Sequence, residues 1–157
     1  MAQDDFYFGG RGISPQEWRE SWLAAQTLFW LILIDWALRR FGFRRTARAL
    51  ARHSLQAEWT SAPPLPMVWR WAGVMVFANR RIKLHPAACL AESMTMWFLL
   101  RRRGADARLQ IGVRTLTGFE SHAWVTYQGV TLNDFEDAVA IYTSLPLDFL
   151  SAGGGEA

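Results

Sequence analysis

Residues 89–134 read CLAESMTMWFLLRRRGADARLQIGVRTLTGFESHAWVTYQGVTLND, and one change of hydrophobic period within them decides the fold. Up to Arg103 the apolar side chains run as a helix, which resumes near Ala87 after the His85-Pro86 interruption and ends at Gly104. Beyond Gly104 the pattern turns to strand. Ala107 to Val113 alternates loosely, and Ala123–Thr126 and Val130–Leu132 are two more short β-rich runs. Tyr127-Gln128-Gly129 joins the last two. A three-residue hairpin loop wants a left-handed residue at its final position, and Gly129 supplies it. That register predicts Thr126 opposite Val130, Trp124 opposite Leu132 and His122 opposite Asp134, with the histidine and aspartate on one face of the ladder. A two-residue loop would put them on opposite faces.

The chain before this stretch reads as helical. Ser14-Pro15-Gln16-Glu17 is a capping box with proline at the first helical position, so a helix is expected from Pro15 to Arg40, broken by Phe41-Gly42. A short basic helix follows from Arg44 to His53. Pro63, Pro64 and Pro66 then predict an extended connection, because each removes a donor and restricts its predecessor. Val68 to Arg81 is again helical. The expected organisation is a helical N-terminal region over residues 1–80, a core over 81–150 with a small antiparallel sheet, and a flexible tail over 151–157 that holds Gly153-Gly154-Gly155. The fold class is α+β.

Composition narrows the function. The 157 residues are one domain's worth, and 51% hydrophobic with 20% charged residues describes a globular chain able to bury a core unaided. A single cysteine excludes an intramolecular disulfide framework and any multi-cysteine metal site, and it suits a reducing cytosol. Three histidines leave little material for other metal centres. The start, Met1-Ala2-Gln3-Asp4-Asp5, lacks the basic and apolar regions of a signal peptide. Residues 1–88 hold 12 Lys/Arg against six Asp/Glu, whereas residues 89–157 hold five against eight. Arg39, Arg40, Arg44, Arg45, Arg48 and Arg52 form a cluster that suits a solvated helix face, and equally an anionic membrane surface or an acidic peptide. No nucleic-acid-binding motif accompanies it, so no nucleic acid is expected as a partner. Trp22 to Leu38 is at the lower length limit of a membrane span but contains Asp35, which favours a buried core helix, with surface association and a true span as the alternatives.

One constellation carries chemistry. Cys89 falls in the first turn of a predicted helix, where unsatisfied N–H groups and the partial positive charge favour thiolate over thiol. The same N–H groups suit the oxyanion of a tetrahedral intermediate. His122 would serve as general base and then general acid, and Asp134 would fix the imidazole tautomer. Duller readings stand beside these. A lone cysteine is usually a small hydrophobe, a strand histidine is more often structural, and Asp134 could end a strand. His85 and His53 compete for the base, but the first shapes a turn and the second has no nucleophile near it. Ser121 points away from its neighbour His122.

Cys89-Leu90-Ala91-Glu92-Ser93, then Leu99-Leu100-Arg101-Arg102-Arg103-Gly104, Ile111-Gly112-Val113, His122-Ala123-Trp124-Val125, Gly129 and Leu132-Asn133-Asp134 together resemble the leader peptidases of lasso-peptide biosynthesis. The match covers Arg81 to Asp134. The resemblance implies a transglutaminase-like, papain-related core with Cys89 as nucleophile, His122 as base and Asp134 as orienting acid. It implies a cytoplasmic cysteine endopeptidase that removes the leader from a ribosomally made precursor and needs no cofactor or metal. Some relatives are fused to a small β-rich module that binds the leader. The helical first 80 residues here resemble the stand-alone peptidase half of a split system. Partners implied are the leader–core precursor, a separate leader-recognition protein and an ATP-dependent lasso cyclase. Rival readings are amine acyl transfer of the transglutaminase type and a non-catalytic scaffold that binds peptide or membrane.

Overall fold

The computed structural model describes residues 15–54, 62–82, 88–115 and 118–147. Ser14 of the capping box, His85-Pro86, Ala87 and the tail 151–157 lie outside the described residues. The order is α1 (Pro15–Phe41), α2 (Phe43–Ser54), α3 (Leu65–Asn79), α4 (Cys89–Arg101), β1 (Arg108–Arg114), β2 (Glu120–Tyr127), β3 (Val130–Thr131), α5 (Glu136–Ala140) and β4 (Thr143–Ser144). It is an α+β fold, four helices first and then a small antiparallel sheet with the short α5 before its last strand.

The sequence places Pro66 in the connection before α3, but the helix begins one residue before it. Pro64 keeps extended angles just before the helix, and Pro66 sits at the second helical position, where its missing N–H has no partner to lose.

Helix α4 is the centre of the molecule. Ala91 and every residue from Ser93 to Leu100 are buried, because α1, α2 and α3 cover one side and β1 and β2 the other. Such a helix must be apolar all round, and MTMWFLL is. Its Ser93 and Thr95 hydroxyls are satisfied by the carbonyls of Ala123 and Ala91, at 2.8 and 2.7 Å. Trp97 and Phe98 are its largest buried side chains, and Trp30 of α1 meets Phe98 edge-on at 4.6 Å.

The sheet runs β3-β2-β1-β4, antiparallel throughout. Its hairpin corrects the expected register. Tyr127 pairs with Val130 and Thr126 with Thr131, so the loop has two residues, Gln128 and Gly129. Both take positive φ, 50° and 81°, as the primed turn that suits strand twist requires. The sequence conceals this because glutamine is an unusual left-handed residue where asparagine or aspartate would announce the turn. Continued regularly, this register would set Asp134 on the face opposite His122. The chain does not continue regularly. Leu132 N–H still donates to Val125 C=O at 2.9 Å, but Val125 N–H donates to the side-chain Oδ1 of Asn133 at 2.8 Å, where a strand carbonyl would otherwise accept. The ladder ends there, and a bend over residues 132–134 frees Asp134 to turn back.

Candidate active site

Cys89 opens α4, His122 lies on β2 and Asp134 follows the bend after β3. The structure brings all three together. His122 Nε2 and Asp134 Oδ2 are 2.5 Å apart, and Asp134 Oδ1 accepts the N–H of Phe135 at 2.8 Å, which fixes the carboxylate plane. With Nε2 taken by the carboxylate, Nδ1 is the ring nitrogen left for Cys89. His53 is exposed near the end of α2, and Ser121 is exposed on β2, pointing away from its neighbour.

The electrostatics follow from these contacts. The Cys89 thiol is held below its ordinary value, chiefly by the hydrogen bond from His122; burial opposes this, and the N–H groups of Ala123 and Leu90 and the imidazolium charge add to it. The His122 imidazole is raised above its ordinary value, first by Cys89 and then, against the cost of burial, by the hydrogen bond and charge of Asp134. The two shifts have one origin, since each group favours the charged form of the other. Glu92, half-buried in the first turn of α4, has its carboxyl pushed up by burial.

Four residues support the imidazole in roles that the sequence did not reveal. Trp124 stacks beside His122 at 6.1 Å between centroids with planes 19° apart, and Tyr142 lies 5.4 Å away. Gly112, directly opposite His122 on β1, makes room for both: a Cβ there would stand 2.7 Å from Tyr142 Cβ and 2.8 Å from Trp124 Cη2. Asn133 is the fourth. Its amide donates to Ser93 Oγ at 3.0 Å while its carbonyl holds Val125, so one side chain ties the nucleophile helix to the strand of His122. Tyr142 gave no local signal, since it reaches the site only because β4 pairs with the far edge of β1.

Gly112→Ala is therefore expected to displace the rings that seat His122. Cys89 should alkylate more slowly near neutral pH, and turnover should fall about 10- to 100-fold, the usual cost of a misplaced catalytic group. Unchanged far-ultraviolet circular dichroism would show that the fold survives; unchanged alkylation would show that the rings do not position the imidazole.

A thiol at a helix N-terminus, with a histidine between it and a carboxylate, is the arrangement used for nucleophilic attack on an acyl carbon. The chain matches the family described as the transglutaminase-like superfamily over residues 28–146, and it belongs to that superfamily. The superfamily includes cysteine peptidases and acyl transferases, and its fold is typically that of a cysteine-protease or transferase enzyme. No curated protein and no solved structure shows significant similarity to the chain.

Proposed function

We propose that the chain is a cysteine peptidase that separates leader from core in a ribosomally made lasso-peptide precursor. The observation that carries the thiol chemistry is the His122 imidazole held between Cys89 and Asp134. The choice of substrate rests on the resemblance of Cys89–Ser93, His122–Val125 and Leu132–Asp134 to lasso leader peptidases. The Cys89 thiolate adds to the carbonyl carbon of the leader–core bond, and N–H groups at the start of α4 receive the oxyanion. His122 then gives its proton to the leaving nitrogen, the C–N bond breaks, and the core departs with a new N-terminus. The leader remains as a thioester on Cys89. His122 takes a proton from water, the hydroxide adds to the thioester, and the thiolate leaves. A separate recognition protein presents the leader, and an ATP-dependent cyclase closes the released core.

The test is mass spectrometry of a precursor from the same biosynthetic locus, incubated with the recognition protein and this chain in heavy-oxygen water. The expected result is cleavage at one bond, with one heavy oxygen on the new leader C-terminus. An added amine at that carbon in place of oxygen would make the chain an acyl transferase instead. In the same assay, Asp134→Asn keeps an oxygen to accept the Nε2 proton but loses the charge, and Asp134→Ala loses both. Turnover is expected to fall by up to roughly 10⁴-fold for both, because the asparagine amide neither holds the imidazole tautomer nor stabilises the imidazolium as the carboxylate does. A much smaller loss for Asp134→Asn would show that an oxygen acceptor suffices without the charge.

A further inference from the structure

Helix α1 is apolar on two sides and covered on one. Leu23, Thr27, Leu31 and Ile34 are buried in the core, while Trp22, Phe29, Ile32 and Trp36 stand 66, 62, 55 and 55% exposed. Those four fall on one face of the helix, a stripe about 21 Å long at 1.5 Å per residue. Only 22% of the most apolar part of Arg19–Phe41 is buried, although that segment is long and apolar enough to cross a membrane by length and composition. Exposed aromatic area on this scale marks a contact surface.

The charge beside the stripe identifies what it meets. Helix α2 turns Thr46, Ala47, Leu50 and Ala51 inward and leaves Arg44, Arg45, Arg48 and Arg52 exposed. No acidic residue occurs between Trp36 and Ser54. The two features are continuous: an apolar groove of about 360 Å³ is lined by Leu33, Ala37 and Phe41 of α1 together with Arg45 and Ala49 of α2. Arg40 lies over the Phe41 ring at 5.4 Å.

We propose that the outer face of α1 and the arginine face of α2 form one surface that seats peripherally on an anionic lipid bilayer. Tryptophan and phenylalanine settle at the boundary between headgroups and acyl chains, and flanking arginines reach the phosphates above them. A second copy of the chain fits less well, because a two-fold contact would set arginine against arginine. A full span is opposed by the inner side of α1, held by α3 and α4, and by Asp35, paired with Arg39 at 2.9 Å. The inference is independent of the chemistry at Cys89.

Flotation of the purified full chain with vesicles tests it, using phosphatidylcholine alone and phosphatidylcholine mixed with phosphatidylglycerol. The expected result is at least about tenfold greater partition onto the anionic vesicles, reversed by salt. The quadruple variant R44Q/R45Q/R48Q/R52Q and the triple variant W22S/F29S/W36S should each lose about tenfold or more, with Cys89 alkylation at the wild-type rate as proof of folding. Equal partition onto neutral vesicles overturns the proposal, and so does full binding by the folded triple variant. Resistance to alkaline carbonate extraction overturns it in favour of a span. A wild-type chain that stays in the aqueous fraction overturns it too, whether as monomer, as self-associated oligomer or bound to an acidic peptide.

Discussion

Cys89→Ala is expected to leave the precursor uncut, with turnover down by roughly 10⁴- to 10⁶-fold, the scale seen when an enzyme loses its nucleophile. The size of the effect follows from the division of labour at the site. Without the sulfur no acyl-enzyme forms, and water would have to attack an unactivated amide directly. What remains is the oxyanion-binding start of α4, which alone gives only modest rate enhancement. Cys89 is half-buried at the first position of α4, so loss of one sulfur atom leaves the buried run from Ser93 to Leu100 undisturbed. The variant should therefore keep wild-type circular dichroism and a closely similar melting temperature. Cutting at the wild-type rate by this variant would remove Cys89 from the mechanism.

His122→Ala is expected to abolish turnover comparably and also to change the thiol itself. The imidazole is the first cause of the lowered Cys89 value, and burial, which acts in the opposite direction, stays when it is removed. The thiol value must then rise. Alkylation by iodoacetamide should reach its half-maximal rate at higher pH than in the wild type, and at pH 7 it should slow by more than about tenfold. A more basic thiolate is intrinsically more nucleophilic, but that gain recovers less than half of the lost thiolate fraction. In the wild type the same pair predicts a bell-shaped pH profile. Below the lowered thiol value the sulfur is protonated, and above the raised imidazole value the proton needed by the leaving amine is gone. An unmoved alkylation profile in His122→Ala would mean that the helix N-terminus activates the thiol unaided.

The meeting of His122 and Asp134 was legible in the sequence for a partly mistaken reason. His122 and Asp134 do meet, but not as cross-strand partners on one face of a three-residue hairpin. Gly129 drew attention to the turn, while the left-handed Gln128 that shortens the loop gave no signal. The regular two-residue register would have parted the pair. Asn133 prevents this by hydrogen-bonding Val125 through its side chain and ending the ladder one step early. Side-chain interception of a backbone donor is a tertiary event, and no period-two pattern encodes it.

The sequence alone determined what local interactions determine. It placed the helices through their apolar runs and stops, including the break at Phe41-Gly42, and it placed Cys89 at the start of a helix. It also determined the change of period after Gly104, because the preference of a residue for helix or strand acts over a few neighbours. Only the tertiary structure decided the contacts between elements distant along the chain. These are the bend that returns Asp134 to His122, the space at Gly112 for Trp124 and Tyr142, and the side of α1 left uncovered. An apolar helix announces that it will be buried, but not on how many sides, since that depends on how many other elements exist to cover it.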